Sequence, residues 1–108
     1  MQDYTVDTDG TVRGIRGRIV SGTLTSRGYL QTTGKHRKKH LMHRIIALKL
    51  IPNPLGLPEV NHINGVKTDN RPQNLEWVTT LQNIQHAIKL RLYQERKAQI
   101  KCIEANSL

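Results

Sequence analysis

The sequence predicts an α+β fold, in which a basic, β-rich N-terminal part precedes a short helix and a strand–loop–strand–helix unit. Three observations support this fold class. Residues 1–40 are short alternating runs separated by turn residues such as Asp9-Gly10. Residues 41–51 are apolar enough for a short buried helix, which Pro52 and Pro54 end. Two further apolar runs flank a long polar loop, and a helix-capping pattern follows the second run.

The N-terminal part contains four candidate strands, which share β-branched or aromatic residues at alternating positions. These candidates are residues 4–6, 11–13, 18–20 and 29–33. We therefore expect residues 1–40 to form a small basic β module. Residues 41–108 are expected to hold the linking helix, a core at about 59–90 and a helical tail.

Charge is unevenly distributed along the 108 residues, which carry 17 Lys and Arg against 8 Asp and Glu. No acidic residue occurs between Gly10 and Pro58. A stretch of one sign attracts phosphate backbones or anionic lipid headgroups. A lipid partner would favour a basic amphipathic helix, whereas this stretch alternates as a strand does. The composition therefore favours nucleic acid as the partner and disfavours a membrane.

Cysteine and histidine usage argues against a zinc site. Cys102 is the single cysteine, which excludes an internal disulfide and a cysteine-based zinc site. His36, His40 and His43 lack a fourth ligand nearby, so no structural zinc is expected. No apolar run reaches the ~20 residues of a membrane span, and the acidic start is unlike a secretory signal. A cytoplasmic location fits these features.

Residues 59–63 and 75–78 are predicted strands, with Trp77 in the core. The connection between them is longer than a simple hairpin loop, and such connections are often functional. Thr79 and Gln82 match a capping box that starts a helix. Helical spacing predicts an apolar stripe facing the core, made of Leu81, Ile84, Ile88 and Leu92.

The run EVNHINGVKTDNRPQNLEWVT from Glu59 to Thr79, followed by Asn83 and His86, resembles the HNH motif of phage and intron homing endonucleases. MHRIIA at residues 42–47 and IPNP at residues 51–54 resemble the segment that leads into that motif. YxV at residues 4–6, GxVR at 10–13 and GY at 28–29 resemble a small DNA-binding β module that often precedes it. The resemblance covers roughly residues 4–88.

This resemblance implies a ββα-metal core that hydrolyses DNA phosphodiester bonds with one Mg²⁺ or Mn²⁺ ion. It implies His62 as general base and Asn61 and Asn83 as amide-oxygen metal ligands. It implies that Asn74 pins the loop and that His86 contacts the scissile phosphate. A hard cation and an imidazole suit this chemistry, because the reaction needs charge screening and an activated water. Relatives often carry Asp where this chain has Asn61, and a neutral ligand binds Mg²⁺ less tightly.

Double-stranded DNA is the expected partner, bound by a monomer or weak dimer with no membrane and no small-molecule cofactor. A phage-encoded protein would act in the cytoplasm of a bacterial host. The residues expected to contact DNA are Arg13, Arg16, Arg18, Arg27, Lys35, Arg37, Lys38, Lys39, His43, Arg44 and Lys67. Two alternatives remain: a non-catalytic DNA-binding protein that keeps the HNH shell, and a basic RNA-associated protein, which would explain the charge but not the loop.

Overall fold

The computed structural model describes residues 4–34 and 37–106, with side chains described as far as Arg96. Five short strands and one helix make up the first half. They are β1 (Thr5–Val6), β2 (Val12–Arg13), β3 (Thr23–Leu24), β4 (Leu30–Thr33), β5 (Lys39–Leu41) and α1 (Met42–Leu50). The second half contains β6 (Glu59–His62), a 3₁₀ turn (Pro72–Asn74), β7 (Leu75–Val78) and α2 (Thr80–Asn106). The expected α+β fold class is confirmed.

The described strands form three small antiparallel sheets, ordered β1-β2, β3-β4-β5 and β6-β7. The first hairpin turns at Gly10, whose φ of +92° favours glycine. A Cβ at Gly10 would lie 2.9 Å from Cδ of Pro72, so this turn packs directly against the loop between β6 and β7. The N-terminal strands therefore support that loop.

Helix α1 lies at the centre of the core. Ile45 and Ala47 are fully buried, and α1 contacts β1, β2, β4 and β5 as well as β6 and β7. The side chains packed around it include Val12 from the first half and Leu75 from the second. The N-terminal strands and the β6-β7 hairpin thus share one hydrophobic core. The expected boundary at residue 40 falls within β5, because that strand leads directly into α1.

One predicted strand is wrong. Residues 18–20 form no strand, and Ile19 makes only an isolated bridge to Arg13. Ile19 is 63% exposed, whereas Val20 packs against the core without forming a strand. The strand that pairs with β4 is Thr23–Leu24, directly after Gly22, whose φ is +76°.

The predicted core stripe of α2 is also wrong. Leu81, Ile84, Ile88 and Leu92 are 64%, 52%, 46% and 53% exposed. The flank turned toward β6 carries Asn83, His86 and Leu90, which lie on the opposite side of the helix at about 100° per residue. The loop approaches this flank closely, because a Cβ at Gly65 would lie only 2.6 Å from Leu90 Cδ1. The polar flank of α2 therefore faces β6 and the loop.

The start of α2 agrees with the sequence. The Thr79 backbone N–H donates to Gln82 Oε1 at 2.9 Å, and the Gln82 N–H donates to Thr79 Oγ1 at 3.1 Å. This reciprocal pair is the predicted capping box, and it fixes where the helix leaves β7. No helix in the described part of the chain is both long and apolar enough to cross a membrane.

Candidate active site

Asn61 and His62 are neighbours in β6, and their side chains lie on opposite faces of the β6-β7 pair. Asn61 lies opposite Glu76, and His62 lies opposite Leu75. Successive residues on a strand point to opposite faces, and cross-strand partners share a face. Asn61 therefore shares a face with Glu76, while the His62 ring lies on the other face, against His43 of α1. Both side chains nevertheless line one cavity beside α2. Both side chains are buried, with 6% and 5% exposure.

His62 is held by a residue of the loop. Its Nε2 atom lies 2.7 Å from Oδ1 of Asn70. An amide oxygen only accepts hydrogen bonds, so this contact places the ring proton on Nε2. The Nδ1 atom of His62 then keeps a lone pair, which is what a general base requires.

The rings of His43 and Tyr29 pack against the ring of His62. The ring centroids of His43 and His62 are 4.7 Å apart, and Tyr29 stacks on His43 at 5.2 Å. Lys67 Nζ lies 4.9 Å from the centroid of the Tyr29 ring. Burial above all, and then the charges of His62 and Arg44, lower the pKa of His43 from 6.5 to about 4. His43 is therefore neutral at neutral pH.

His43 requires a correction, because it was expected to contact DNA. Its side chain is only 6% exposed and packs against both Tyr29 and His62, whose rings also contact each other. It faces the interior because it lies in the first turn of α1, beside the buried residues Met42 and Ile45. Packing against the site is its role in the structure.

Asn74 ties the two ends of the loop together. It is buried and accepts a hydrogen bond from the Asn64 N–H at 3.0 Å. Its Nδ2 atom donates to Asn64 Oδ1 at 2.9 Å and to the Asp69 carbonyl at 2.8 Å. Arg71 adds two contacts of 2.7 Å to the Asp69 carboxylate, and these hydrogen bonds hold the pKa of Asp69 well below its usual range. The loop is thereby fixed by its own polar side chains.

Three polar atoms without a hydrogen-bond partner among the described groups belong to side chains that share a cavity with His62. Asn61 and Asn83 each use Nδ2 to donate to a carboxylate, and no described group donates to either Oδ1 atom. The Nε2 atom of His86 is buried without a hydrogen-bond partner among the described residues. All three side chains line one cavity of about 90 Å³. This arrangement can receive a ligand that accepts electron pairs from oxygen and nitrogen.

The donor set fits a hard divalent cation. Amide oxygens are ligands that Mg²⁺, Mn²⁺ and Ca²⁺ accept. Within residues 4–34 and 37–96, no three His, Cys, Asp or Glu side chains group to hold a metal ion. A cation bound in this cavity would thus depend on Asn61 and Asn83, with His86 within the same lining.

The basic residues expected to contact DNA fall into two groups. Arg13 and Arg44 have protein partners: Arg13 pairs with Asp7 at 3.0 Å, and Arg44 donates to the Pro58 carbonyl while lying over Trp77. Those with exposed side chains are Arg16, Arg18, Arg27, Arg37, Lys38, Lys39 and Lys67. Lys35 lies outside the described residues. Lys67 belongs to both groups: it is exposed and lines the cavity next to His62, and its Nζ donates to the Arg27 carbonyl at 3.0 Å.

Sequence reasoning missed the three residues that hydrogen-bond to His62, Asn61 and Asn83. Asn70 holds His62, Glu76 holds Asn61, and Glu59 holds Asn83. A signal for Glu76 existed, because aligning residues 59–63 with 75–78 as an antiparallel pair places it near Asn61. Asn70 carried no comparable signal, since its approach to His62 depends on the path of the loop.

Comparison with known proteins gives matches to one kind of nuclease. The model of the HNH endonuclease family matches residues 40–85. An uncharacterized HNH endonuclease of Acanthamoeba polyphaga mimivirus is 35% identical over 94% of this chain and 27% of that protein. An SPbeta prophage-derived protein of Bacillus subtilis, named as an HNH homing endonuclease, is 40% identical over 64% of this chain and 42% of that protein. This chain thus spans less than half of either relative.

A solved structure shows the same fold. It is described as DNA binding and cleavage by the HNH homing endonuclease I-HmuI, and it superposes with a TM-score of 0.64 at 26% identity. The match covers 91% of this chain and 61% of that one. The resemblance expected from the sequence is therefore confirmed.

Proposed function

We propose, from the match of residues 40–85 to the model of the HNH endonuclease family, that this protein is a metal-dependent nuclease that hydrolyses phosphodiester bonds of double-stranded DNA. One observation carries the proposal. His62, with Nδ1 free to accept a proton, lines the same cavity as the unengaged amide oxygens of Asn61 and Asn83. A general base beside a cation site can activate water and stabilise the leaving oxygen, which together hydrolyse a phosphodiester.

In this proposal His62 takes a proton from the attacking water at Nδ1. The Asn70 oxygen then faces the Nε2–H of the imidazolium and stabilises its charge. Asn61 and Asn83 would hold a Mg²⁺ or Mn²⁺ ion, which screens phosphate charge and stabilises the leaving 3′ oxygen when bound. His86 would direct its unpartnered Nε2 to a phosphate oxygen or to the same cation.

DNA binding in this proposal rests on charge. The chain carries a net charge of +9, and seven of the expected contact residues have exposed side chains. Such a surface binds phosphates without reading sequence. We propose homing or phage-encoded nicking as the biological setting, which the names of the relatives support. The cytoplasmic location and the monomer or weak dimer stay predictions.

Nicking of supercoiled plasmid tests the proposal directly. The protein should convert supercoiled to open-circular DNA in Mg²⁺ or Mn²⁺ and stop when EDTA is in excess. The Asn83→Ala variant, compared at equal DNA occupancy, is the matched control for contaminating nucleases. Binding without cleavage under every metal condition would favour the non-catalytic alternative, and cleavage that persists in EDTA would exclude the metal-dependent scheme.

A further inference from the structure

Each of the two amides that line the cavity donates a hydrogen bond to a carboxylate. Asn61 Nδ2 donates to Glu76 Oε1 at 2.9 Å, across the β6-β7 pair. Asn83 Nδ2 donates to Glu59 Oε2 at 3.2 Å, between α2 and β6. The same amide-to-carboxylate hydrogen bond therefore occurs for both proposed metal ligands, Asn61 on β6 and Asn83 on α2.

A carboxylate that accepts a hydrogen bond from a side-chain amide fixes the orientation of that amide. An ionised carboxylate only accepts hydrogen bonds, and the amide has its donor on one side and its acceptor on the other. The NH₂ group of Asn61 must face Glu76, which leaves its oxygen directed away from that carboxylate. The hydrogen bond is charge-assisted, and it increases the electron density on the amide oxygen.

No ion pair in the described structure neutralises the negative charges of Glu59 and Glu76. Ion pairs among the described side chains join Arg13 to Asp7, Arg71 to Asp69 and Arg91 to Glu95. Neither Glu59 nor Glu76 takes part in one of them. Two negative charges thus lie one hydrogen bond away from a cavity whose oxygen ligands are neutral.

We propose that Glu76 and Glu59 are positioning residues of the metal site, resting on the proposed function above. Each carboxylate holds one amide with its oxygen available to the cation. Each also supplies, through that amide, negative charge that a neutral ligand lacks. Partners behind metal ligands affect affinity strongly, and removing one costs about 10- to 100-fold in metal affinity or activity.

Mn²⁺ binding measured by electron paramagnetic resonance tests this inference without reference to cleavage. Free Mn²⁺ is titrated against wild type, Glu76→Gln, Asn61→Ala and the double variant. Glu76→Gln should weaken Mn²⁺ binding at least about 10-fold. In the Asn61→Ala background the same change should have less than about a 2-fold effect, because Glu76 acts through that amide. Glu95→Gln removes the same charge from exposed α2 and should change nothing.

The outcomes separate the inference from the proposed function. Saturable Mn²⁺ binding that Glu76→Gln leaves unchanged would overturn the role of Glu76 alone. Additive effects of Glu76→Gln and Asn61→Ala would show that Glu76 acts independently of the amide, which also overturns the inference. Wild-type protein without saturable binding would overturn the metal-dependent function itself. If Glu76→Gln fails to fold by circular dichroism, Glu59→Gln with Asn83→Ala provides the same cycle on the second pair.

Discussion

The Nε2 atom of His62 lies 2.7 Å from Oδ1 of Asn70, a loop residue eight positions further along the chain. This contact selects the ring form of His62 whose Nδ1 can accept a proton. Asn70→Ala should therefore slow nicking by about 10-fold or more. DNA affinity should stay nearly constant, because the side chain acts on the base and not on the substrate. Single-turnover kinetics at saturating protein separates the two, and an unchanged cleavage rate would remove Asn70 from the site.

His62→Ala should abolish most cleavage, by roughly 10²- to 10⁴-fold for a lost general base. Binding to the same duplex should remain, since His62 is directed at water. The check combines plasmid nicking with a fluorescence-anisotropy measurement of DNA affinity. A His62→Ala protein that cleaves at the wild-type rate would locate the base elsewhere.

Stability should depend on pH through His43. The folded pKa of His43 is about 4, below its ordinary value of 6.5, so the unfolded chain takes up the proton first as pH falls. The stabilising contribution is present above pH 6.5 and is lost as pH falls toward 4, by up to about 3 kcal/mol. Urea unfolding at pH 4.5 to 6.5 measures the slope, which should be shallower in His43→Phe. Equal slopes in both proteins would contradict this assignment.

Moving the carboxylate from position 76 to position 61, by Asn61→Asp and Glu76→Gln, should show that the two side chains depend on each other. Asn61→Asp alone sets two carboxylates directly opposite each other, which should cost on the order of 1 kcal/mol of stability in EDTA. Adding Glu76→Gln should restore that stability, because the hydrogen bond re-forms with its polarity reversed. Both variants should reach half-maximal nicking at lower Mg²⁺, since the carboxylate now contacts the ion itself. An unchanged Mg²⁺ half-saturation would withdraw Asn61 as a ligand.

Salt dependence should identify the DNA-binding surface. Log K should fall with log salt by roughly 0.9 per phosphate neutralised. Replacing the exposed Arg37, Lys38 and Lys39 with Gln should flatten that slope equally for unrelated duplexes. Lys49→Gln, at the exposed end of α1, is the control. A slope that the triple change leaves intact would make residues 37–39 a solvated face.

Local patterns predicted the parts of the site that neighbours in sequence determine. The cap at Thr79 and Gln82, the end of α1 before Pro52 and the family resemblance all follow from short-range features. The orientation of α2 does not, because helical spacing defines an apolar stripe without saying what that stripe faces. That orientation depends on long-range contacts, such as the close approach of Gly65 to Leu90.

The site contacts that the sequence did not predict depend on residues distant along the chain. Glu76 meets Asn61 only once the register of β6 and β7 is known, and Glu59 meets Asn83 only once α2 is placed. His43 became a buried neighbour of His62 because α1 packs beneath the hairpin. No spacing rule in the sequence brings these groups together.

The adjacency of Asn61 and His62 also constrains how such a chain can vary over generations. These two residues are neighbours in sequence but lie on opposite faces of a two-stranded ribbon. Inserting or deleting one residue within β6 would therefore exchange the base and the ligand, a change that no single later substitution reverses. The loop after Ile63 is held at its ends by Asn64 and Asn74 and further along by Asp69 and Asn70, so its path is constrained as well. Descendants of such a chain should therefore keep the length of β6 constant.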